Sequence, residues 1–158
     1  ITFDVSIRRV EKRAYFIAFL RVPDTMVVMR FLGIDYGSKR IGAALSDEDG
    51  KIAFPRRTFR GFSGAKAIRE ITAMVKKERV GTVVVGLPRS LDGKETGQTR
   101  AVRSFGEKLS RSLDIPVAYE NEMFTSRMAH ASGADSEHVD ESSAAIILQS
   151  YLDRKNQK

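Results

Sequence analysis

An α/β fold, with a mixed five-stranded sheet and helices on its faces, is what this sequence predicts. Three observations predict it. From Met29 onward, three strand-like runs follow one another with only short turns between them. Near Ala65 the apolar period changes from that of a strand to that of a helix. The remainder alternates helix and strand, so the whole reads as three antiparallel strands and then α-β-α-β-α.

The first strand runs from Arg30 to Asp35, with apolar Phe31, Leu32 and Ile34, and ends at a turn, Tyr36-Gly37-Ser38-Lys39. Arg40 to Ser46 is the second strand, and Asp47 to Lys51 makes a hairpin turn around Asp49-Gly50. Ile52 to Phe59 is the third. Pro55 has no amide hydrogen to donate, which marks this strand as irregular or at the sheet edge. From Ala65 to Arg79, the residues Ala65, Ile68, Ile71, Ala73 and Val75 recur at helical spacing. Thr82 to Val85 is a continuous β-branched run and reads as a buried strand. A long loop, Gly86 to Thr96, leads into a helix from about Gly97 to Leu113, and Pro116 to Tyr119 is the fifth strand. A helix is expected to start near Thr125. After the polar stretch Ser132 to Val139, a last helix spans Asp140 to Arg154, with Ala144, Ile147, Leu148 and Tyr151 at core spacing. Residues 1–28 end in the turn-like Pro23-Asp24-Thr25 and read as an N-terminal extension of uncertain structure. Residues 29–158 form the main domain.

Composition narrows the chemistry. The 158 residues contain no cysteine, which removes disulfides, thiolate metal sites and cysteine nucleophiles. Two histidines, His130 and His138, make a histidine-built zinc site a poor expectation. A metal site would have to rest on carboxylates, which suit Mg2+ or Mn2+. The formal charge of +7 favours polyanions through counterion release. Residues 1–28 hold five Lys/Arg against three Asp/Glu, so +5 belongs to the remainder. No apolar run reaches the ~20 residues that span a bilayer. Ala14 to Leu20, although flanked by basic residues, is too short for a secretory signal and lacks a small-residue cleavage site after it. A cytoplasmic location without membrane partners is the expectation.

Three carboxylates fall at telling places. Asp35 ends the first strand, Glu122 lies just past the fifth, and Asp140 opens the last helix. Neighbouring strands would bring the first two to one end of the sheet, and the helix could add the third. Clustered acids repel one another, and a divalent cation relieves that repulsion. Two such ions ~4 Å apart clamp the attacking and leaving oxygens of a phosphodiester. Taken singly, each acid has an ordinary use: turn residue, solvated loop charge, helix cap.

The combination resembles a family. Met29-Arg-Phe-Leu-Gly-Ile-Asp-Tyr-Gly-Ser-Lys-Arg-Ile-Gly-Ala-Ala-Leu-Ser-Asp47 is similar to the opening of the RuvX-like YqgF proteins, with their Asp-aromatic-Gly-x-x-x-Ile-Gly signature. Val84-Val-Gly-Leu-Pro-Arg-Ser-Leu-Asp-Gly-Lys94 is similar to the second block, and the run from Val139 to Asp153 to the closing helix. The resemblance extends from Met29 to about Asp153 and implies an RNase H-like fold. It implies a two-metal nuclease acting on the precursor of 16S rRNA, with Asp35, Glu122 and Asp140 as the catalytic and metal-holding acids. It also implies substrate contacts at Gly37, Ser38, Lys39, Arg40, Arg89, Lys94, Gln98, Thr99, Arg100, Thr125 and Ser126. Gly37 and Gly42 would allow close backbone approach near the site.

Two places depart from the family pattern. Asn121-Glu122-Met123 stands where the family has Asp-Glu-Arg, and a methionine cannot bind phosphate. The link Ser132 to Val139 is short and carries no Lys or Arg. These departures motivate a non-catalytic nucleic-acid-binding module as one alternative. A Holliday junction resolvase acting on branched DNA is another, and monomer and homodimer both stay open. An actin-like ATPase rests on Asp35-x-Gly37 alone.

Overall fold

The computed structural model describes residues 29–61, 64–88, 94–121 and 139–157. The extension 1–28 and the helix expected near Thr125 lie outside the described residues. Five strands form one sheet: β1 (Arg30–Tyr36), β2 (Arg40–Ser46), β3 (Ala53–Arg60), β4 (Val80–Leu87) and β5 (Val117–Asn121). Their order across the sheet is β3-β2-β1-β4-β5. The first three pair antiparallel, while β4 and β5 join β1 in parallel, so the sheet is mixed as expected. Helices α1 (Gly64–Lys77) and α2 (Gly97–Ser112) share one core with the sheet, and α3 (Val139–Asn156) shares a second.

Local chemistry accounts for the turns. Gly50 takes φ +65 in the β2–β3 hairpin. The Asp47 carboxylate accepts from the amides of Lys51 (2.7 Å) and Ile52 (3.2 Å), which hold it below the usual carboxylate range. β3 is the edge strand, and its register against β2 shifts between Ala43 and Ala44, opposite Pro55.

The core is split by strand alternation. Leu32, Ile34, Val83 and Val85 point to one face and meet Ala67, Ile71 and Val75 of α1 and Val102, Phe105 and Leu109 of α2. Of the apolar residues at helical spacing, Ile71 and Val75 are buried while Ala65 and Ala73 are exposed, and Ala67 is buried instead. Alanine tolerates either environment, so the period alone misassigns it.

On the other face, Ala44 and Val84 meet Ala144, Ile147, Leu148 and Leu152 of α3. Here the helix rests directly on the strands. A Cβ built on Gly33 would lie 2.7 Å from Leu148 Cβ and 2.8 Å from the Ala144 carbonyl oxygen. At Gly42 it would collide with the carbonyl of Asp140. α3 is pinned farther along by Gln149, which accepts from the Ala53 amide and donates to the Lys51 carbonyl, both at 2.9 Å. At β5, buried Glu120 accepts from Ser150 Oγ (3.2 Å) and pairs with Arg154 (2.5 Å).

Gly33→Ala is therefore expected to lower stability by about 1–3 kcal/mol, the usual range for overpacking. Gly64→Ala, where nothing lies within 4 Å, is expected to stay within about 0.5 kcal/mol. Urea denaturation of the two variants against the parent chain checks the difference.

Candidate active site

The glycine contact with α3 decides where the acids lie. Asp35 sits at the C-terminal end of β1, directly opposite Gly42 of β2. Gly42 in turn lies under the backbone of Asp140, in the first turn of α3. By alternation from Gly33, Asp35 faces the same side of the sheet as α3. The two carboxylates thus share one corner of the molecule.

The electrostatics of that corner are unfavourable for two free carboxylates. Burial, and then the charge of Asp140, push the Asp35 carboxyl up to about 6. Asp140 Oδ2 is buried, with Arg40 Nε 3.1 Å away. That approach makes an ion pair but lacks hydrogen-bond alignment, so this oxygen has no hydrogen-bond partner among the described residues. A buried, under-satisfied carboxylate oxygen beside a second, poorly solvated carboxylate fits a hard divalent cation. The described residues contain no group of three candidate metal ligands. The third expected acid, Glu122, lies outside them.

The other expected residues fall into three groups. Ser38 and Lys39 are exposed in the turn after Asp35, and Gly37 closes that turn through its amide to the Arg40 carbonyl (2.9 Å). A Cβ on Gly37 would lie 2.8 Å from the same carbonyl oxygen, so the turn requires glycine. Arg40 faces Asp140. Gln98 donates to the Tyr36 carbonyl (3.1 Å) and ties the start of α2 to the end of β1. Lys94 and Arg100 are exposed beside it. Thr99 does not serve the site by contact and stands as a correction. It is fully buried, its hydroxyl donates to the Pro88 carbonyl (2.6 Å), and it completes a capping box with Thr96. Arg89, Thr125 and Ser126 lie outside the described residues.

Three features escaped the sequence reading. Arg40 is an ion-pair partner of Asp140, Gly33 is a docking glycine, and Glu120 is a buried anchor for Arg154. The spacing Thr96-x-x-Thr99 was the available signal for the capping box.

Comparison with known proteins now decides the family. Residues 29–154 match the RuvX family, described as Holliday junction resolvase. The chain belongs to the RuvX family. A relative from Nitratidesulfovibrio vulgaris, named "Putative pre-16S rRNA nuclease", is 43% identical over 132 residues, 78% of this chain and 93% of the relative. One of the same name from Caldanaerobacter subterraneus is 40% identical over 134 residues, 79% of this chain and 96% of the relative. Among solved structures, Thermus thermophilus RuvC in complex with a Holliday junction substrate matches with TM-score 0.50 and 14% identity, over 81% of this chain and 96% of RuvC. The fowlpox virus resolvase bound to Holliday junction DNA matches with TM-score 0.50 and 11% identity, over 80% and 99%. At such identities the likeness shows the fold, which is RNase H-like as the sequence implied. No helix among the described residues of this RuvX-family chain is long and apolar enough to cross a membrane.

The raised carboxyl of Asp35 sets a pH dependence. A carboxyl raised on folding favours the folded state where it is protonated. Metal-free stability therefore falls as pH rises from the ordinary value of 3.8 through about 6. Asp35→Asn removes the charge, so in EDTA it is expected to stabilise the protein at pH 8 by up to about 2–3 kcal/mol. It is expected to have little effect at pH 4. Thermal melts of both proteins at the two pH values measure this, and a destabilised variant at pH 8 contradicts it.

Proposed function

We propose that this chain is a metal-dependent endonuclease that hydrolyses phosphodiester bonds, with the precursor of 16S rRNA as its substrate. One observation carries the reading. The glycine-floored contact between β2 and α3 brings Asp140 to Asp35 and leaves a buried carboxylate oxygen without a hydrogen bond among the described residues. Family membership and relatives named as pre-16S rRNA nucleases agree with it.

Asp35 and Asp140, with Glu122 as third acid, would hold Mg2+ or Mn2+. Such an ion supplies activation of water and neutralisation of charge at the phosphate. The chain's own residues do the rest. Asp35 would have to be ionised to serve as ligand, and its partial burial would limit screening of a bound ion by water. Arg40 balances the Asp140 charge. Ser38 and Lys39, exposed in the turn beyond Asp35, would contact the phosphate backbone, with Arg100 and Lys94 near the start of α2. Gln98 keeps β1 and α2 together so that these contacts keep their spacing.

A second reading keeps the chemistry and changes the substrate to a four-way DNA junction, a reading favoured by the RuvX family's description. Both are tested in one experiment, with labelled pre-16S rRNA and a labelled DNA junction incubated with the protein and Mg2+ or Mn2+. The expected result is metal-dependent cutting of the RNA. Asp35→Asn and Asp140→Asn are each expected to slow it by about a thousandfold or more, the loss of several kcal/mol of transition-state stabilisation. Preferential cutting of the junction selects the second reading, and binding without cutting of either substrate rejects the nuclease.

A further inference from the structure

The chain's positive charge is not spread evenly. Residues 56–79 contain eight Lys/Arg and two Asp/Glu, a net +6 in a chain whose total is +7. These residues form the outer half of edge strand β3 and the whole of α1. They lie along the sheet edge and on the face opposite α3, where Asp140 sits.

The two acids of the segment are already engaged. Glu78 pairs with Arg56 (3.0 Å), and Glu70 with Arg57 (3.6 Å), whose guanidinium also lies over the Phe59 ring. Arg69, Lys76 and Lys77 are exposed on α1, and none has an ion-pair partner among the described residues. Lys66 continues the same stripe. At 1.5 Å per residue, Lys66 to Lys77 spans roughly 16 Å. Between the helix and β3 runs a groove of about 240 Å3, lined by Arg56, Arg57 and Lys77 together with the ion-paired Glu70 and Glu78.

We propose that β3 and α1 form a docking platform for the phosphate backbone of a double-stranded nucleic-acid stem, distinct from the acids that cut. The choice of a nucleic acid as occupant rests on the nuclease reading, and the choice of a duplex rests on the platform's composition. α1, which carries the exposed cations, contains no aromatic residue and offers no stacking surface for unpaired bases, and the exposed Phe54 of β3 precedes the charged residues 56–79. Its exposed cations suit phosphates held by position and shape. The platform also connects to the site. α1 begins beside Tyr36, the residue after Asp35, where both line one groove. The other end of the charged strand, Arg60, lies opposite Arg40 in the β2–β3 register. A stem lying along α1 therefore leads to the end of the sheet that carries Asp35, and the fold separates the grip from the cut.

The test is Arg69→Ala/Lys76→Ala/Lys77→Ala in the full chain, with circular dichroism as the check on folding. Binding of a labelled 20-base-pair RNA duplex and of a labelled single strand of uridines is measured in EDTA across a salt series. The platform predicts that the variant loses at least about tenfold in duplex affinity. It also predicts that the slope of log affinity against log salt becomes shallower by about 3, near one per lost phosphate contact. Single-strand affinity should change less. Unchanged duplex affinity and slope overturn the platform, as does an equal loss for both nucleic acids. Unaltered RNA binding with lost binding to phosphatidylserine vesicles also overturns it, assigning the face to a membrane. Cleavage by the parent protein in Mg2+ is scored separately, so a failed platform and a failed nuclease reading give different results.

Discussion

Everything at the candidate site depends on how closely α3 approaches β1 and β2. Two strand positions without side chains, Gly33 and Gly42, let the helix backbone rest on the sheet. A helix held off by ordinary side chains packs roughly 10 Å from a sheet. Here the first turn reaches the strand itself, and Asp140 arrives beside Asp35. The approach is held by contacts spread along the helix: Gln149 at the hairpin, Asn156 at the Gly50 carbonyl, and Arg154 and Ser150 at Glu120. A long lever, fixed at its far end, sets the position of one carboxylate at its near end.

That arrangement works against metal-free stability at neutral pH. Burial, and then the charge of Asp140, disfavour ionisation of the Asp35 carboxyl. Arg40 offsets part of this but does not satisfy Asp140 Oδ2. Such a local conflict between burial and charge is the kind of feature that concentrates at functional sites. The rest of the charge is arranged differently. The β3–α1 segment is basic, and its Arg60 lies opposite Arg40, the ion-pair partner of Asp140, so under the proposed function attraction of a polyanion and handling of one phosphate would fall to separate parts of the fold.

Much of the fold was legible because its signals are local. Asp49-Gly50 marked the hairpin, Pro55 marked the edge strand, and the β-branched run at Thr82 marked a buried strand. The positions of Asp35 at the end of a strand and Asp140 at the start of a helix were legible from the sequence pattern. What escaped depends on contacts distant in sequence. Nothing local to Arg40 shows that its partner is 100 residues away, and nothing near Glu120 points to Arg154. Gly33 looked like any strand residue until a helix was found on top of it. Thr99 was assigned to the substrate because it lies among polar residues near the loop, yet burial and a cap claim its hydroxyl.

The most direct test of the acid corner is binding of Mn2+ to the purified chain at pH 7.5, followed by calorimetry in the absence of nucleic acid. If Asp35 and Asp140 form a metal site, the parent protein binds Mn2+ saturably, and Asp35→Asn and Asp140→Asn each weaken that binding by at least about tenfold, a loss of about 1.4 kcal/mol. Equal Mn2+ affinity in the parent and both variants, or no binding by the parent, would contradict the account.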